Sequence, residues 1–273
     1  MLRIDIKKLF IFGKYIMKFS SFYRRLKVGI FASITALAAT SASATVVQFE
    51  TPFGNFEVNL YDQTTPNTVA NFLTYVNAEE YDNSFIHRSI PGFVVQGGGF
   101  LYNNEWPPGS VTALAPVVNE PVLSNVRGTI AMAKLGGDPN SATSQWFINL
   151  SDANAANLDI QNGGFTVFGE VVGDGMAIVD QIAGLTRYNL GGALAEIPLQ
   201  NYDGVSDPDD TNLALITRIS VIDSAVDSAA NLNPPTNDLL VEPPSSSGGS
   251  SGGGSFGIAA LLLLGITGFR RRN

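Results

Sequence analysis

Short runs of β-forming residues, each ended within a few positions by glycine, proline or asparagine, restrict the fold of this chain more than any other feature. TVVQFE (45–50) and GNFEVNLY (54–61) alternate apolar and polar side chains around Pro52 and Gly54, the pattern of two strands joined as a hairpin. FIHRSI, FVVQ, GTIAMA, QWFINL and FTVFGEVV follow, and LALITRISVID (213–223) supplies a last strand. Many short strands separated by turn residues predict a closed barrel or a sandwich. Helical spacing occurs in two places. One begins at Thr65, a cap, with Pro66 in the first helical position and Val69, Phe72, Leu73 and Val76 on one face for about four turns. The other covers 175–184, with Met176, Val179 and Ile182 on one side. Residues 186–212 follow neither period and read as a long irregular loop, functional or mobile.

Charge narrows the function classes. Of 16 basic and 24 acidic residues, eight basic and one acidic lie in 1–44, and Arg270, Arg271 and Arg272 stand at the other end. Residues 45–269 therefore hold five basic against 23 acidic side chains, a net charge of −18. Such a body repels phosphate backbones, so nucleic acid is not an expected partner. Self-repulsion also favours a monomer. The chain has no cysteine and one histidine, which excludes disulfides, thiolate nucleophiles and Cys- or His-based metal sites. No cofactor is expected.

Both ends read as addresses. Basic KFSSFYRRLK (18–27), apolar VGIFASITALAAT (28–40) and a small-residue site ending at Ala44 have the order of a secretory signal, with Met17 an alternative start. Residues 224–254 form a linker that becomes Ser/Gly-rich toward its end, and 255–273 a short apolar tail closed by arginines. The tail is similar to Gly-Gly C-terminal sorting signals of Gram-negative bacteria; an uncut membrane anchor is the alternative. The expected domain is 45–223, working in the periplasm or at the cell surface.

Within that domain there is no phosphate loop with a lysine, no G-x-S-x-G elbow and no pair of metal ligands. FIHRSIPGFVVQGGGF (85–100) nonetheless keeps one of the few arginines beside the only histidine. Strand alternation sends His87 and Arg88 to opposite faces, so only one of them can line a given site.

FIHRSIPGFVVQGGGF, GTIAMAK (128–134), SQWFINL (144–150) and FTVFGEVVGDGMAIVDQI (165–182) together resemble, in order and spacing, the cyclophilin-type peptidyl-prolyl cis-trans isomerases, above all their bacterial periplasmic branch. The resemblance covers about 45–223. It implies a mainly β fold, an eight-stranded closed antiparallel barrel capped by two α-helices, and catalysis of X-Pro bond rotation that accelerates folding of exported proteins. It also implies that Arg88 is catalytic and that Phe93, Gln96, Met132, Ala133, Gln145, Phe147 and Leu158 line the substrate groove. Two positions depart from the family pattern: Asn157 stands where Trp or Phe is usual, and Phe165 where His or Tyr is usual, which argues against cyclosporin binding.

An always-protonated arginine suits the chemistry. Rotation of an X-Pro bond breaks amide resonance and returns a lone pair to the prolyl nitrogen, and a fixed donor aimed there favours the twisted state over either planar one. The expected partners are proline-containing unfolded or exported polypeptides. The alternative reading is a proline-binding module or chaperone at the cell surface that has kept the groove and lost turnover.

Overall fold

The computed structural model describes residues 45–224 and 232–240. The expected signal, the Ser/Gly-rich part of the linker and the apolar tail lie outside the described residues.

The hairpin forms as the alternation requires. β1 (Val46–Glu50) pairs antiparallel with β2 (Phe56–Leu60), placing Val47 opposite Val58 and Phe49 opposite Phe56, whose rings stack at 4.7 Å. Gly54 makes the reversal possible: at φ +120° it adopts backbone angles that a side chain would disfavour, while its N–H donates to the Thr51 carbonyl. α1 (Pro66–Asn77) follows, with Val69, Phe72, Tyr75 and Val76 buried. Its expected cap is corrected. Thr65 makes no capping bond; instead the Glu120 carboxylate, more than fifty positions on, accepts from the Asn67 and Thr68 amides and places a negative charge at the helix N-terminus.

The remaining strands are β3 (Ser84–Phe85), β4 (Arg88–Ile90), β5 (Val94–Gly97), β6 (Phe100–Leu101), β7 (Gly109–Ser110), β8 (Thr129–Met132), β9 (Trp146–Asn149), β10 (Val167–Val172), β11 (Thr186–Tyr188), β12 (Ile197–Leu199), β13 (Leu215–Ile216) and β14 (Arg218–Asp223). Eight of the strands form one antiparallel sheet in the order β14-β1-β2-β10-β8-β9-β5-β4. The strand number and the antiparallel pairing match expectation. Among the described residues, however, no ladder joins β14 to β4. Their continuations meet instead, β13 pairing with β3 so that Leu215 faces Phe85 and Ile216 faces Ser84. Three α-helices, not two, are present among these residues: α1, the single turn α2 (Ala155–Leu158) and α3 (Gly175–Ala183).

The main core lies on one face of this sheet. Phe49, Phe56, Ile130, Met132, Trp146, Ile148 and Phe168 pack there against Phe72 and Tyr75 of α1 and Val179 and Ile182 of α3. Burying aromatic and aliphatic groups of this size contributes roughly 2 to 3 kcal/mol each before chain entropy is counted.

Residues 186–212 are an irregular loop only in their second half, 200–212. β11 and β12 form a hairpin, Leu199 bridges to Leu213, and Ile197, Leu199, Leu213 and Leu215 build a second apolar cluster with Phe85. This module covers an exposed edge, since the Ser89 amide of β4 donates to the Glu196 carbonyl at 2.8 Å. Residues 232–240 also depart from the flexible linker expected there. Thr236 bridges to Leu123, and Asn237 is buried.

Candidate active site

Sheet register assembles the site. Arg88 on β4 lies opposite Gln96 on β5, Gln96 opposite Phe147 on β9, Phe147 opposite Ala131 on β8, and Ala131 opposite Val167 on β10. Residues in one such row project from the same face, here the face turned away from the main core. Next to the row, Ala133, Val94, Leu158 and Phe165 join Phe147 and Ala131 in a separate apolar cluster, with half-buried Phe93 packed against it.

The polar end of the row is a chain of amides. Arg88 Nη1 donates to Gln96 Oε1 at 3.2 Å, and Gln96 Nε2 donates to Gln145 Oε1 at 2.9 Å. Each bond fixes which end of the amide faces the next partner. Arg88 is 7% exposed, and among the described residues no carboxylate forms an ion pair with it. Burial lowers its pKa, and the charge of Glu196 partly opposes that shift. A guanidinium remains cationic under such conditions, so a charged fork of donors stands at the end of the row that leads to the apolar cluster.

His87 takes the other direction, as alternation requires. Its ring meets Phe100 edge-on at 5.1 Å. Complete burial, reinforced by the neighbouring Arg88 charge, pushes its pKa down to about 3, so it is neutral and unsuited to proton transfer near pH 7. Close packing also explains the glycines after Gln96. A side chain on Gly97 would meet the Trp146 indole, and Gly98 at φ +73° lies against the Ser144 carbonyl.

Of the residues expected in the groove, Arg88, Gln96 and Gln145 are linked by hydrogen bonds, and Phe93, Ala133, Phe147 and Leu158 share the apolar cluster. Met132 does not join them. It lies opposite Trp146 and belongs to the main core, because consecutive strand residues face opposite sides and Ala133 occupies the groove side. Asn157 is exposed, where its amide donates to Gln161 Oε1, while Phe165 is buried and meets Phe147 edge-on at 5.6 Å.

Sequence reasoning missed Lys134. Its ammonium is buried, donates to the Asn162 and Gly164 carbonyls, and sits 4.8 Å from the centre of the Phe165 ring. Burial lowers its pKa to about 8, with Asp138 opposing. The available signal was its place in GTIAMAK, directly after Ala133, in a body with only five basic residues.

The site therefore combines a buried cation oriented by amides with a neighbouring cluster of aromatic and aliphatic side chains. Comparison with known proteins identifies the family. The family model described as cyclophilin type peptidyl-prolyl cis-trans isomerase/CLD matches residues 46–202. A peptidyl-prolyl cis-trans isomerase of Acinetobacter baylyi is 38% identical over 167 residues, covering 60% of this chain and 86% of that protein. Peptidyl-prolyl cis-trans isomerase A of Dickeya dadantii is 40% identical over 163 residues, covering 58% and 83% respectively. Peptidyl-prolyl cis-trans isomerase B of Escherichia coli is 42% identical over 147 residues, covering 51% and 85%. The chain belongs to the cyclophilin-type peptidyl-prolyl cis-trans isomerase family.

Proposed function

We propose that the peptidyl-prolyl isomerase activity of this chain is carried by Arg88 acting on the nitrogen of a proline seated against Phe93, Ala133, Phe147 and Leu158. The observation that carries the reading is the register row in which Arg88, Gln96 and Phe147 lie side by side on one face. A planar X-Pro amide offers its nitrogen lone pair to the carbonyl and accepts no hydrogen bond there. At the twisted midpoint the lone pair returns, and a buried, preoriented guanidinium stabilises that state selectively. Gln96 holds the guanidinium in place, and Gln145 holds Gln96. A thousandfold acceleration requires about 4 kcal/mol of differential stabilisation, within reach of a few preoriented donors. Met132 acts only from behind, as core under the groove.

The same reading closes the eight-stranded sheet into a barrel. The β3–β13 ladder between the continuations of its two end strands supports this. It also places the domain outside the cytoplasm, acting on exported polypeptides, which the order of basic, apolar and small residues in 18–44 supports. A tail still ending in Arg270–Asn273 on surface-exposed protein would overturn cleavage at the C-terminus.

The test is exchange NMR on a proline-containing peptide with wild-type protein beside Arg88→Ala. Wild type is expected to accelerate cis-trans exchange, and the variant to lose a hundredfold or more, roughly the effect of removing an oriented donor. Shifted peptide resonances without faster exchange in wild type would make this a proline-binding module.

A further inference from the structure

We propose that residues 232–240 form a strap that positions the proline pocket, with Asn237 as its anchoring residue. The strap lies beyond both the family match, which ends at 202, and the last sheet strand, which ends at Asp223. It adds a short antiparallel extension to 122–124: the Asn237 amide donates to the Val122 carbonyl, and the Ser124 amide to the Pro235 carbonyl at 2.8 Å.

Asn237 is 6% exposed, and both ends of its side chain are bonded. Nδ2 donates to the Pro121 carbonyl at 3.1 Å and the Asp159 carbonyl at 2.8 Å, and Oδ1 accepts from the Leu239 amide. A loose tail does not bury an amide and satisfy it on both sides.

The position of that anchor matters. Asp159 follows Leu158 directly and caps α2. Its buried carboxylate accepts from Ser124 Oγ and from the Asn125 backbone and side chain, and Asn125 Nδ2 also donates to the Phe165 carbonyl. The Phe165 amide in turn donates to the Leu158 carbonyl. Asn237 therefore belongs to a network holding two pocket residues, Leu158 and Phe165. At the other end of the strap, half-buried Leu232 packs against the cluster that contains both of them. No such buttress is needed to complete the sheet. Its contacts converge on the residues that carry Leu158 and Phe165, so the strap sets where the proline wall stands, Asn237 acting through Asp159.

The inference rests on the isomerase reading of the groove, and its test keeps the two separable. Full-length protein with Asn237→Ala is compared with wild type by exchange NMR on the same proline peptide, with the Leu158 methyl and Phe165 ring resonances followed in parallel. KM is expected to rise roughly tenfold, as for a displaced binding wall, with kcat little changed and both pocket resonances shifted. Asn237→Gln, which keeps the donor, should recover part of the lost affinity. Should Asn237→Ala fail to fold, Leu232→Ser at the half-exposed end carries the same readouts. Unchanged KM and unchanged pocket resonances would overturn the strap. If wild type itself shows no exchange, the isomerase reading falls, and the strap is judged by the peptide Kd from a chemical-shift titration of the same two proteins and by the same resonances.

Discussion

Lys134 is a buried ammonium that, among the described residues, has no ion-pair partner; two carbonyls and the face of Phe165 hold it. Such an arrangement satisfies the donors without offsetting the loss of hydration, and for that reason the pKa falls from 10.5 to about 8. Between those two values the unfolded chain still carries a proton that the folded chain has released, so stability rises with pH across that window. Below about pH 8 both states are charged, and the folded one bears the whole desolvation penalty. Relative to Lys134→Met, wild type should therefore gain about 3 kcal/mol of unfolding free energy between pH 7 and 10.5, measured by urea denaturation at several pH values. A difference that does not change with pH would mean that Lys134 is better solvated than its burial indicates. Its location explains why it was missed. Periodicity identifies which face a residue takes, but a lysine placed on a buried face becomes recognisable only when the 162–164 turn is seen to supply its carbonyls.

At the scale of elements, the module of β11, β12 and β13 joins the edge strand that carries Arg88. It is held by the Ser89–Glu196 backbone bond on one side and by Ile197, Leu199, Leu213 and Phe85 on the other. If the module and β4 behave as one cooperative unit, weakening the small cluster must expose the Ser89 amide. Leu199→Ala is expected to cost about 2 to 5 kcal/mol and to speed hydrogen exchange at Ser89, while Ile130 on β8, flanked by β10 and β9 in the middle of the sheet, keeps wild-type protection. Equal acceleration at both sites would show a single global unit instead. The sequence disclosed most of the sheet, because two-residue alternation shows in β1 and β2, and β5, β8, β9 and β10 stand out as short β-forming runs between turn residues. It concealed β11 and β12 because each is only three residues long, below the length at which alternation can be told from chance. Long-range partnerships were equally hidden. Glu120 capping α1 and Asn237 anchoring Asp159 join residues more than fifty positions apart, and no local pattern encodes either pair. Arg88, Gln96, Gln145 and Phe147, named from the sequence, do lie together in the candidate site. Met132 lies apart from them because strand alternation turns it to the main core while Ala133 takes the other face.

The charge of the whole molecule sets its response to salt. Of the five basic residues in 45–269, Arg88 and Lys134 are buried, leaving Arg127, Arg187 and Arg218 exposed in a stretch whose sequence holds 23 acidic residues. Arg127 pairs with Asp180 at 2.7 Å and Arg187 with Glu196 at 3.6 Å, both at half-exposed positions where an ion pair is worth little. Net repulsion among carboxylates therefore outweighs the few attractions on this surface. Compaction brings those charges closer than the unfolded chain does, so repulsion opposes folding. Salt shortens its range to about 10 Å at 0.1 M and about 3 Å at 1 M. Tm should accordingly rise by several degrees between roughly 0.01 and 0.5 M sodium chloride, most steeply in the lower part of that range where screening changes fastest. Calorimetry in sodium chloride and in choline chloride separates this from ion-specific effects, since simple screening requires the two curves to coincide. A Tm that falls on adding either salt would mean that the ion pairs of Arg127 and Arg187 dominate the surface after all.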